Sequence, residues 1–206
     1  MEQVLDVYKR PYNPAYPVIC GDESPKQLIG EMRQPIAMKR GKSMKYDSEY
    51  VRNGVCNIFM MVEPLAGQRY VSVTTNRKRR DWAEWIRSIV DDYYSDAKII
   101  TIVQDNLNTH NPANLYEYFA PEEAKRLIDK IDFVYTPKHG SWLNIAEIEL
   151  NVLQNNGLKV RMENIENVSK AAIAWESERN NKIKKINWQF TNDDARIKLK
   201  RLYPSL

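Results

Sequence analysis

Cysteine is nearly absent from this chain of 206 residues: Cys20 and Cys56 stand alone, far apart. That excludes a disulfide framework and a zinc knuckle. Histidine is as scarce, with only His110 and His139. No apolar run approaches the length of a bilayer span, the longest being Ile58-Phe59-Met60-Met61-Val62. The start, Met1-Glu2-Gln3-Val4-Leu5-Asp6, lacks the basic and apolar regions of a signal peptide. Internal repeats and low-complexity segments are missing too. The expected setting is therefore reducing and cytoplasmic, away from membranes.

What is present is globular: 43% hydrophobic against 28% charged residues gives one domain with enough chain for a real core. The net charge is only +4, but the basic residues are clumped. Lys39, Arg40, Lys42 and Lys45 form one clump, and Arg77-Lys78-Arg79-Arg80 a second. Lys182, Lys184 and Lys185 make a third; Arg196, Lys198, Lys200 and Arg201 a fourth. Each alone reads as a solvated face; four in one modest domain point toward a polyanion such as nucleic acid.

Residues 1–16, with Pro11, Pro14 and three tyrosines, read as an extended arm or linker. Pro17 to Glu23 is a short strand whose alternation sends Val18, Cys20 and Asp22 to one side. Residues 24–50 read as loop with a little strand. Val55 to Val62 and Arg69 to Thr74 form a hairpin across turn-forming Glu63-Pro64-Leu65-Ala66-Gly67. Asp81 with Glu84 has capping-box spacing ahead of an amphipathic helix carrying Trp82, Trp85, Ile86, Ile89 and Val90. Those tryptophans read as core. A strand, Ile99 to Val103, then runs into Asp105.

Pro112 and Pro121 each suit a helix start. Phe133 to Thr136 is a last strand, and a helix from Ser141 to about Gln154 stops near Gly157. Helices at about Ile165 to Arg179 and Asp193 to Leu202 close the chain. This α/β order, an antiparallel hairpin group followed by strands joined through helices, is that of a ribonuclease H-like mixed five-stranded sheet. In such a sheet the strands carrying Asp22 and Asp105 lie side by side and parallel.

Two neighbouring aspartates are costly unless a cation sits between them. Magnesium, a hard ion that takes oxygen ligands, answers that need. A third acid permits a second ion, and two ions roughly 3.5–4 Å apart clamp both oxygens of an in-line phosphoryl displacement. Glu147 is the best source, three residues after Asn144 and one turn from Leu143 and Asn151. The same spacing fits a capping box at a helix start, and Glu149 is a rival in the same helix. His110 and His139 stand near these acids, where either substrate contact or an incidental hydrogen bond is in keeping with their spacing.

Asp22-Glu23-Ser24, Gln104-Asp105-Asn106 with His110, and Ser141-Trp142-Leu143-Asn144 leading to Glu147 resemble the catalytic blocks of DDE transposases. The resemblance is closest to the bacterial insertion-sequence family numbered six-thirty, related to mariner elements, and covers Pro17 to Leu206. It implies Asp22, Asp105 and Glu147 as a catalytic, metal-binding triad for two magnesium ions, with manganese as a substitute. It also implies DNA contacts at the site edge by Asn106, His110, Lys138 and His139, and by Arg77, Lys78, Arg79 and Arg80. The implied division is an arm at 1–16 and a catalytic domain at 17–206, with a ribonuclease H-like core at about 17–157 and C-terminal helices at 158–206.

The implied activity is metal-dependent DNA cleavage and strand transfer on chromosomal or plasmid DNA, in a homodimer or higher synaptic complex. The interval from Asp105 to Glu147 is longer than is usual in that superfamily, and the extra length falls on the helix after Pro121. Such transposases also carry an N-terminal helix-turn-helix region, which is not found in this chain. A separately encoded helix-turn-helix half is therefore an expected partner. The alternatives are a catalytically idle DNA-binding remnant and another nuclease of the same fold.

Overall fold

The computed structural model describes residues 1–138 and 140–203. Its strands are β1 (Val18–Glu31), β2 (Tyr50–Glu63), β3 (Gln68–Thr74), β4 (Ile100–Gln104) and β5 (Ile131–Tyr135). They form one sheet in the order β3-β2-β1-β4-β5. The first three are antiparallel neighbours, while β1–β4 and β4–β5 pair in parallel. This is the ribonuclease H-like arrangement expected from the element order.

Period-two alternation divides the core into two layers. Cys20, Ile58, Met60, Val62, Val103 and Val134 face one way, under α1 (Glu2–Tyr8), α5 (Ile145–Asn156) and α6 (Ile165–Asn181). Ile19, Phe59, Met61, Ile100 and Ile102 face the other, under α2 (Arg79–Ser88) and α4 (Pro121–Asp129). Trp82 and Trp85 of α2 are core residues, as their spacing predicts. Trp85 lies so close over Gly21 that a methyl group there would overlap its ring. The short α3 (Leu115–Tyr118) and α7 (Asn192–Lys198) complete the set.

Three expectations are corrected. Residues 1–16 are not simply an extended arm: residues 2–8 form α1, whose Val4, Leu5 and Val7 are buried in the first layer. Burying each contributes about 1.5–3 kcal/mol, enough to hold a helix too short to stand alone. The Tyr8 hydroxyl anchors it by donating to the Leu143 carbonyl at 2.7 Å. Second, β1 does not stop at Glu23 but runs to Glu31 through Pro25, paired with β2 throughout and broken only by an irregularity after Gln27. Asp22 therefore lies within a strand, although its parallel pairing with β4 ends at Cys20 opposite Val103. Third, Asp81 is not the first cap of α2. Lys78 is, and the Asp81 carboxylate accepts from the Lys78 amide at 2.7 Å.

A buried charge network ties β3 to α5 and α6. Arg69, wholly buried, donates to both oxygens of Glu149 at 3.0 and 3.1 Å, and Arg179 adds bonds of 3.3 and 2.6 Å. Burial alone would raise the Glu149 carboxyl, but the two guanidinium groups outweigh it and hold it below its ordinary value. Removing one partner of such a pair strands the other's charge in the core. Glu149→Ala is expected to lower stability by about 3–5 kcal/mol in urea unfolding. Exposed Glu147→Ala should stay within about 0.5 kcal/mol of the parent.

Candidate active site

The alternation that builds the core also aims the acids. Asp22 follows Cys20 by two residues and Asp105 follows Val103 by two, so both carry on toward the α5 side of the sheet. Asn144 then fixes α5 against β1. Its side-chain amide donates to the Gly21 carbonyl at 2.8 Å, and its carbonyl oxygen caps the helix by accepting from the Ala146 amide at 3.1 Å. Glu147 sits in the first turn of α5. The expected alternative, a capping box, is not formed: the Asn144 amide donates to the Ser141 carbonyl at 2.7 Å instead.

Asp22, Asp105 and Glu147 accordingly line one open cleft of about 350 Å³ with Ser24, Ser141 and Asn151. Glu149, the rival acid, points away into its arginine pair. Burial is the main force on the Asp22 carboxyl, which is pushed up to about 7. A bond from the Glu23 amide at 2.8 Å opposes it, while the charges of Asp105, Glu23 and Glu147 add to it. Among the described residues, no Lys or Arg pairs with Asp22 or Glu147.

Glu23 has the opposite fate. On the other face of β1 its carboxylate lies 3.0 Å from His110 Nε2, and both side chains are almost wholly buried. His110 Nδ1 lies 2.5 Å from Asp105 Oδ1 and 3.3 Å from the Asp105 carbonyl oxygen. The first contact is short but poorly aligned, so Asp105 Oδ1 is buried without a well-formed hydrogen bond. Burial lowers the affinity of the His110 ring for a proton, yet Asp105 and Glu23 outweigh it and push its pKa up to about 10. An imidazolium between two carboxylates is the result.

An oxygen-only donor set and a crowded aspartate suit a hard divalent ion. No three His, Cys, Asp or Glu side chains among the described residues close into a cage for one ion.

The expected DNA-contacting residues divide. Asn106 and Lys138 line a cleft of about 380 Å³ that shares Asp105 and Ser141 with the acid site. Arg77 lines another, beside Glu23, Leu107 and Asn108. Arg80 is exposed, Lys78 starts α2, and Arg79 is paired with Glu117 at 2.9 Å. His110 is corrected: it is 2% exposed and bound inward, so it presents nothing to a polymer. His139 lies outside the described residues. Of the terminal basic clumps, Arg196 is paired with Glu2 and Asp193, Lys198 with Asp194 and Lys182 with Glu178.

The Asp22 carboxyl binds its proton more tightly in the folded chain than its ordinary value of 3.8 allows when unfolded. Its contribution to stability is therefore full below about pH 4 and lost as the pH rises through about 7. The contribution of His110, also raised, is lost later, between its ordinary 6.5 and about 10. Urea unfolding in a chelator should show Asp22→Asn gaining stability over the parent as the pH climbs from about 4 to about 7.

No curated protein matches the chain. Among solved structures it is similar to the Mos1 mariner transposase in the paired-end complex with Mn, at 13% identity and a TM-score of 0.60. It is also similar to the pre-cleavage Mos1 transpososome, at 14% identity and a TM-score of 0.56. These matches cover 89% of this chain but only 54% and 59% of those chains, so it spans little more than half their length. At such identity they establish a shared fold. The profile of the family described as DDE superfamily endonuclease matches residues 17–169, most of the chain and every acid of the cleft. By that match the chain belongs to the DDE superfamily endonucleases.

Proposed function

We propose that this chain is the catalytic domain of a DNA transposase, cutting and joining DNA strands with divalent metal ions. The observation that carries this reading is the convergence of Asp22, Asp105 and Glu147, from three separate elements, on one open cleft that no Lys or Arg lines among the described residues. Family membership supports the nuclease class. The Mos1 complexes lend the fold and the precedent of a transposase in a paired-end complex with a transposon end.

In this reading Asp22, Asp105 and Glu147 hold the ions, with magnesium the natural occupant and manganese a substitute. Divalent ions so held would sharpen water as a nucleophile and neutralise charge on the leaving oxygen. The chain's own residues do the rest. Asn106, Ser141 and Lys138 line the adjoining cleft, where phosphodiester oxygens would be held in line with the acids. Arg77, Lys78 and Arg80 extend a positive rim that grips phosphates without reading bases. Hydrolysis at an element's end breaks a phosphodiester and frees a 3′-hydroxyl. That hydroxyl then attacks target DNA, one P–O bond forming as another breaks.

The finer assignment is to the insertion-sequence family numbered six-thirty, with residues 17–206 as the catalytic unit and α1 packed into its core. A homodimer or larger synaptic assembly, and a helix-turn-helix half that recognises element ends, complete the proposal. The work would take place in the cytoplasm, on chromosomal or plasmid DNA.

Nicking of supercoiled plasmid in magnesium, with an RNA–DNA hybrid as the comparison substrate, tests this. Asp105→Asn and Glu147→Gln should each reduce nicking by about a hundredfold or more, the loss of several kcal/mol of charge stabilisation. Binding should weaken steeply with salt. Equal nicking by parent and Asp105→Asn would defeat the assignment; preference for the hybrid would make the chain a ribonuclease of the same fold.

A further inference from the structure

Glu23 is adjacent in sequence to one acid of the cleft, and His110 follows another by five residues, yet neither side chain reaches the solvent. They meet behind the cleft, in the α2 layer, where Nε2 of His110 lies 3.0 Å from Glu23. The other ring nitrogen lies 2.5 Å from Asp105 Oδ1. We infer that Glu23 and His110 are a positioning pair, which braces the Asp105 carboxylate from behind and turns its second oxygen toward the cleft. The inference rests on the proposal that Asp105 holds a divalent ion.

The surroundings fix both the ring and its backbone. Trp82 stacks on it with centroids 5.9 Å apart. The His110 carbonyl accepts from Gln104 Nε2 at 3.1 Å and from the Tyr135 hydroxyl at 3.0 Å. Gln104 itself accepts from the Trp82 indole at 3.3 Å. The preceding loop is held by Asn114, whose amide donates to the carbonyls of Asn108 and Thr109 at 3.1 and 3.0 Å. A free loop histidine needs none of this. The Asp105 side chain, by contrast, keeps about a quarter of its surface open, on the side away from the ring.

Pure electrostatics and orientation make opposite demands here. A cation beside a ligand weakens that ligand's hold on a second cation, so by charge alone removing His110 would tighten metal binding. If the ring orients the carboxylate, removing it weakens binding; partners behind a metal ligand are typically worth about 10–100-fold in affinity or activity.

The test uses the full chain and Mn²⁺ as the probe, with free Mn²⁺ followed by electron paramagnetic resonance and unfolding by thermal melting. His110→Phe keeps a ring on Trp82 but no nitrogen. It should bind Mn²⁺ about tenfold or more weakly, and its metal concentration for half-maximal plasmid nicking should rise to match. Glu23→Ala removes the brace one contact further out and should weaken binding in the same direction, which covers the case of a His110→Phe chain that fails to fold. Unchanged or tighter Mn²⁺ binding in whichever variant folds overturns the inference, whatever its melting temperature. Asp105→Asn is the reference. If it binds Mn²⁺ like the parent, the metal assignment itself has failed; if it alone loses the ion, only the positioning role has.

Discussion

The parallel pairing of β1 with β4 is the constraint on which the cleft depends. Opposite residues Cys20 and Val103 close that ladder, and an aspartate stands two residues beyond each, Asp22 within β1 and Asp105 just past the end of β4. Two carboxylates are thereby delivered to one face at one level. A shift of a single residue in either strand would send one of them into the α2 layer, because the side-chain period is two. The buried neighbours Ile19, Cys20, Ile102 and Val103 guard against such a slip, since it would exchange side chains of different shape between two close-packed layers.

The same alternation explains why two acids adjacent in sequence have different chemistries. Asp22 faces an open cleft with other carboxylates and is driven toward the neutral form. Glu23 faces a buried histidine and is balanced by it. One face is left short of positive charge and the other is neutralised internally, so an incoming cation has only one place to be useful. In the proposed reading, metal binding and the buried pair are linked through Asp105, which touches His110 and lines the cleft.

Much of this was legible in the residues. Apolar runs ending near Asp22 and Asp105 located two strands, and the stripe around Trp82 and Trp85 located α2 with its buried side. What escaped was set by long-range packing. The seven residues of α1 carry too few turns for a periodic signal, and only the surface they cover makes them helical. Pro25 and the polar residues after Glu23 hid the second half of β1, which is a strand because β2 pairs with it. His110 looked like a loop residue at the rim; its partner Glu23 lies 87 positions away and no local pattern joins them. Glu147 and Glu149 were equivalent by spacing until Arg69, on a distant strand, claimed the latter.

Asn144 carries a consequence for how such a site tolerates change. By bonding at once to the Gly21 carbonyl and to its own helix, it fastens the start of α5 to the strand that bears the first acid. The place of Glu147 is thus measured from β1 and owes nothing to the length of chain that follows Asp105. Changes in the length of the connection between the second and third acids can therefore leave the geometry alone. Divergence in this chain has room to accumulate between its acids, while the two atoms of one asparagine side chain keep the distance.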